Sequence, residues 1–129
     1  MNISRFTQKS QEVIQLCEKT AMDYGHQEIA QEHLLYSMMN VDESLIRKLI
    51  EKMGIEPDVF TTQVESLLQK RPKVTGGELH IDQKLNETLI YAEDEAKRMG
   101  DEYVSVEHLF LSLLAHPSKE IKALMKDCN

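Results

Sequence analysis

A chain of 129 residues, 41% of them hydrophobic and 29% charged, is long enough for one domain with a buried core. With only five Gly and three Pro it is neither fibrous nor of low complexity. Twenty-two Asp and Glu against fifteen Lys and Arg give a net charge of −7, which argues against binding phosphate backbones or anionic lipid. Cys17 and Cys128 do not make a disulfide framework, no secretory signal opens the chain, and no apolar run approaches a membrane span. A soluble cytoplasmic domain is expected.

In chain order, Phe6, Val13, Ile14, Cys17, Ala21 and Tyr24 recur at helical spacing, with Thr7 placed to cap the start and Gly25 the end. A short helix is expected over Glu32–Met39. A third begins at Asp42, carries Leu45, Ile46, Leu49, Ile50 and Met53 on one face, and stops at Gly54. A fourth starts at Pro57, in its favoured first turn, and presents Val59, Phe60, Val64, Leu67 and Leu68. Residues 71–81, RPKVTGGELHI, have the Pro and Gly-Gly of a linker. Asp82, Leu85, Leu89, Ala92, Ala96, Met99 and Gly100 then repeat the pattern of the first helix. Glu107–Leu114 follows with Ser105 as its cap. No segment alternates with period two, so β structure should be minor.

Laid on itself with a shift of 75, the chain matches without a gap from residue 6 to 51. The identities are Gln8/Gln83, Lys9/Lys84, Glu12/Glu87, Glu18/Glu93, Ala21/Ala96, Gly25/Gly100, Glu32/Glu107, His33/His108, Leu34/Leu109, Ser37/Ser112, Ile46/Ile121 and Leu49/Leu124. This is an internal duplication. It divides the chain into repeat one (1–70), a linker (71–81) and repeat two (82–129). The counterpart of the fourth helix would fall beyond residue 129, so the second repeat is expected to be incomplete and the chain a piece of a longer protein.

The only repeated polar signature is Glu32-His33 and Glu107-His108, each just inside a helix start. A zinc helix needs a second His one turn away, and positions 29, 37, 104 and 112 are Ile29, Ser37, Val104 and Ser112. The histidines therefore read as caps or packing residues. The two Glu residues read equally as helix-dipole partners or as receptors for a cationic ligand. His26 and His80 have no ligand partners at useful spacing, and Cys17 lies on the apolar stripe as a small core residue. Met38, Met39, Met53 and Met125 are placed to fill the core. No serine sits in a nucleophile elbow and Gly76-Gly77 lacks the Lys-Ser/Thr of a phosphate loop, so catalysis is not supported. Two bundles side by side leave a groove, and Leu89 and Tyr91, which cannot both face one small core, are candidates to line it.

Three stretches carry a family likeness. FTQKSQEVIQLCEKTAMDYGHQEI, RPKVTGG and AEDEAKRMGDEYVSVEHLFLSLL resemble the N-terminal domain of Clp/Hsp100 unfoldases, the ClpB branch first and the ClpC branch second. One difference stands out: where the family often has Thr, Ser or Pro before the first Glu-His, this chain has Ala30-Gln31, which weakens the cap of that helix. The resemblance implies an all-α fold of two pseudo-twofold-related four-helix repeats, the last helix of the second truncated here. It also implies a parent hexamer whose absent AAA+ modules use ATP and Mg, while this piece, a monomer by itself, needs no cofactor and performs no chemistry.

The partners implied are unfolded or aggregated polypeptides and adaptor proteins, with no nucleic acid and no membrane. In the ClpB-like pattern the substrate-handling positions correspond to Thr7, Asp101 and Glu107, and the apolar groove to Leu89 and Tyr91. In the ClpC-like alternative, Glu32 and Glu107 would receive phosphorylated arginine on marked substrates.

Overall fold

The computed structural model describes residues 3–128; the outermost limits of the two repeats, at residues 1 and 129, lie outside them. Among the described residues there are seven α-helices: α1 (Gln8–Tyr24), α2 (Gln31–Asn40), α3 (Leu45–Lys52), α4 (Pro57–Lys70), α5 (Gln83–Arg98), α6 (Val106–Ala115) and α7 (Lys119–Asp127). A 3-10 turn at Ile3–Arg5 precedes α1. The fold is all-α, with four helices in repeat one and three in repeat two.

Most caps follow from local sequence. The Thr7 and Asp82 side chains accept the amides of Ser10 and Leu85, satisfying donors that the first turns of α1 and α5 leave free. Gly25 closes α1 at φ 74°, a left-handed conformation that only glycine adopts without strain. The start of α3 differs from expectation. Asp42 is not in it: the chain turns through Glu43 at φ 55°, and Ser44 caps the helix by accepting the Arg47 amide. The apolar faces are also narrower than expected, because α3 and α4 are each covered on one side only. Met53 and Val59 lie in solvent, whereas Met38 and Met39 are in the core and Met125 packs partly against it.

One apolar core runs through both repeats. It joins Val13, Cys17 and Ala21 of α1 and Leu34, Leu35 and Met38 of α2 to Leu85, Leu89 and Ala92 of α5 and Leu109 and Leu113 of α6. Residues 71–81 are more than a linker. His80–Ile81 (β2) pairs in parallel with Glu28–Ile29 (β1), and the Asp82 amide donates to the Ile29 carbonyl at 2.9 Å. Reciprocally, Phe6 bridges Val104, and the Thr7 amide donates to the Val104 carbonyl at 3.0 Å. Phe6 aligns with Ile81 and Ile29 with Val104. The segment that opens each repeat is therefore stitched to the other repeat.

Candidate functional site

The Glu-His signature resolves into the same device in both repeats. The Ala30 amide donates to His33 Nδ1 at 2.9 Å, and the Ser105 amide donates to His108 Nδ1 at 2.9 Å. Each histidine thus holds the amide of its own N-cap residue; Ser105 Oγ in return accepts the His108 amide, whereas Ala30 has no side-chain acceptor and the His33 amide turns to the Ala30 carbonyl. With Nδ1 accepting, the proton sits on Nε2 and points at the residue that follows the capping glycine. That partner is His26 Nδ1 in repeat one and Asp101 Oδ2 in repeat two, each at 2.9 Å. His26, unremarkable as an isolated histidine, is the counterpart of Asp101. The aligned pairs Gly25-His26 and Gly100-Asp101 were the signal that identifies it.

Burial pushes the His33 imidazole down to about 3, helped by His26 and Arg71. His26 is lowered as well, by burial and then by Arg71. Both rings are neutral at pH 7.

The two Glu residues are not equivalent. Glu32 is 2% exposed, and its Oε2 accepts from Arg71 Nη1 at 2.9 Å. Arg71 also lies 3.7 Å from Glu28. Burial raises the Glu32 carboxyl, with its own amide and Arg71 pulling the other way. Glu107, in contrast, stands exposed in the first turn of α6 with no ion pair among the described residues. Arg71 was read as linker, and nothing in its sequence context marks it as the partner of a buried carboxylate 39 positions away.

Thr7, Asp101 and Glu107 are brought to one side of the molecule by the Phe6–Val104 bridge and the loop that Asp101 opens before α6. Leu89 and Tyr91 do not join them in a single groove. Two residues apart on α5, they face different ways, as helical geometry requires. Leu89 is buried and walls a cavity of about 310 Å³ between the repeats, with Ile14, Cys17, Ile29, Leu79, Ile81 and Leu85. Tyr91 is exposed, stacks on His116 at 4.1 Å, and borders a separate depression of about 300 Å³ with Glu95, Arg98 and Leu111. Cys17, at the cavity wall, is held as a thiol, its pKa raised to about 12 by burial.

Among the described residues no group of three His, Cys, Asp or Glu is arranged to hold a metal, and no helix is long and apolar enough to cross a membrane. The described residues form a duplicated all-α domain with a mostly apolar cavity at the seam of its two repeats. Its family follows from comparison: residues 5–128 match the model of the Clp repeat (R) N-terminal domain, and the chain belongs to that family.

Among curated relatives it is 38% identical to the chaperone protein ClpB of Nitratidesulfovibrio vulgaris over 126 residues, 94% of this chain and 15% of the relative. It is 41% identical to ClpB of Porphyromonas gingivalis over 127 residues, 98% of this chain and 15% of that one. The chain therefore spans about 15% of the length of these relatives. Solved structures share the fold. The Hsp104 N-terminal domain of Candida albicans superposes with a TM-score of 0.87 at 20% identity, covering 97% of this chain and 82% of that one. A ClpV N-domain in complex with a VipB peptide superposes at 0.78 and 20% identity, covering 98% and 81%.

Proposed function

We propose that this domain captures unfolded or aggregated polypeptide, and docks adaptor proteins, on behalf of a ClpB-type disaggregase whose ATP- and Mg-using modules thread the captured chain. The observation that carries the reading is the apolar cavity at the seam. Ile14, Ile29, Leu79, Ile81, Leu85 and Leu89, together with Glu18 and His80, line a space of about 310 Å³, enough for one or two large side chains. The peptide seated on the ClpV N-domain supports peptide recognition by this fold.

A small cavity binding a disordered chain must offset that chain's ordering cost, so single-domain affinity is micromolar or weaker. Several such domains on one hexamer in the cytoplasm would compensate by avidity. Reception of phosphoarginine by Glu32 and Glu107 is less well supported, because Glu32 already holds the Arg71 guanidinium.

The test is an amide NMR titration of the chain with a permanently unfolded polypeptide. Shifts clustered on Ile14, Leu79, Leu85 and Leu89 are expected, together with loss of those shifts in Leu89→Arg. No shift at millimolar ligand would overturn capture by the domain.

A further inference from the structure

Strand β2 has two edges, and only one of them is paired. The His80 amide donates to the Gln27 carbonyl at 3.0 Å and the Asp82 amide to the Ile29 carbonyl at 2.9 Å, so residues 80 and 82 turn their backbone towards β1. Alternate residues of a strand bond to the same neighbour, so the N–H and C=O of Ile81 point the other way. Among the described residues neither group makes a hydrogen bond, nor does the backbone of Leu79, one strand period earlier. Leu79 and Ile81 are only partly buried, and their side chains line the seam cavity. An open strand edge beside an apolar cavity is a template for one more strand.

Repeat one closes the equivalent edge with its own side chain. Phe6 stands at the position of Ile81, and its outward carbonyl is already taken: Gln11 Nε2 donates to it at 3.0 Å. At the position of Gln11, repeat two has Asn86, one methylene shorter, exposed, and without a side-chain hydrogen bond among the described residues. Phe6 is itself buried, and Ile3–Arg5 before it coil into a 3-10 turn instead of continuing as a strand. Charge adds a preference at the open edge. Glu18 at the cavity and Glu78 just before β2 are exposed carboxylates with no ion pair among the described residues, which favours a cationic chain over an acidic one.

We propose that a captured polypeptide binds this edge as an extended third strand, its backbone pairing with Leu79 and Ile81 and one apolar side chain entering the seam cavity. The inference rests on the capture of unfolded chains proposed above and specifies how such a chain is held. The occupant must be extended, because a helix spends its N–H and C=O groups on itself, whereas an extended chain offers one of each at every second residue along an edge. Main-chain pairing gives affinity that depends little on sequence, and the cavity adds selection for one apolar side chain. That combination suits a receptor of unfolded chains, which share a backbone and little else. The edge is short, so the bonds are few and the binding is weak.

The probe is an acetylated heptapeptide of sequence KTVLVTK, made unmodified and with its central Val-Leu-Val N-methylated, which keeps the side chains and removes the donors. In an amide NMR titration of the full chain the unmodified peptide should shift Leu79, Ile81, Leu85 and Leu89, and should slow hydrogen exchange at the Ile81 amide. The N-methylated peptide should bind at least tenfold more weakly. Asn86→Gln, an exposed change that supplies the longer side chain found at Gln11, should weaken binding of the unmodified peptide severalfold. Equal binding of the two peptides, with shifts at Leu85 and Leu89 and no protection of Ile81, would overturn strand pairing and leave capture by the cavity standing. No shift from either peptide at millimolar concentration would overturn both.

Discussion

Replacing Arg71 tests the claim that the segment between the repeats is a structural part of repeat one. Arg71→Met keeps most of the aliphatic stem and removes the guanidinium from Glu32, a carboxylate that is 2% exposed. Breaking a fully buried pair costs roughly 3–5 kcal/mol. Here Arg71 is 21% exposed, and Glu32 keeps the favourable end of α2 beside it, which lowers the expected cost to about 2–3 kcal/mol at pH 7.5.

The cost must depend on pH with a definite sign. A carboxyl raised in the folded state loses stability as pH rises from its unfolded value through its folded one, and removing Arg71 raises it further. The substitution also relieves His26 and His33 of a cation that lowers both, which favours the variant in acid. The difference should therefore shrink towards pH 4.5. Urea unfolding followed by far-UV circular dichroism measures it. With a slope of about 1–3 kcal/mol/M, the midpoint should fall by about 0.7–3 M at pH 7.5, and Glu32→Gln in the same chain should restore most of the loss. A variant within about 0.5 kcal/mol of the parent at pH 7.5, or equally destabilised at both pH values, would refute the reasoning.

Three further outcomes are expected. Because burial holds His33 neutral, the unfolded chain binds more protons there as pH falls from 6.5 towards about 3, so stability should drop by up to about 1.4 kcal/mol per pH unit, with the lowered His26 acting in the same direction. His26→Asp copies the arrangement of repeat two and should flatten that slope in acid unfolding; an unchanged slope would place the acid sensitivity elsewhere. Thr7→Ala removes the α1 cap and should cost ~1 kcal/mol in thermal unfolding, so any substrate defect of that variant counts only if it exceeds this loss. Leu89→Ala should cost about 2–4 kcal/mol by enlarging the cavity, whereas Tyr91→Ala, exposed and off the core, should cost under about 1.5 kcal/mol; similar values would mean that the two side chains share an environment.

The helices and their duplication are legible in the sequence because caps and apolar spacing are local: Thr7, Asp82, Ser105 and Gly25 each act within a few residues. What stays hidden is long-range. Nothing near Arg71 names Glu32, and two-residue strands at Glu28–Ile29 and His80–Ile81 are too short to show a period. Leu89 and Tyr91 look alike as apolar residues on one helix, yet their two-residue separation sends one into the seam and the other onto His116. Met53 and Val59 fit a helical stripe, but how wide a stripe is buried depends on neighbours that the stripe itself does not specify.

The reciprocal stitching of Phe6 to Val104 and Ile81 to Ile29 gives the molecule the character of a homodimer with exchanged arms, written into one chain. Each half lends its leading segment to the other and receives one back, so a half expressed alone would have an unclaimed arm and an empty cleft. Two such halves would complete each other as a symmetric pair. Within the single chain, neither half melts without releasing the other, and the domain should unfold in one cooperative step although its sequence is plainly written twice.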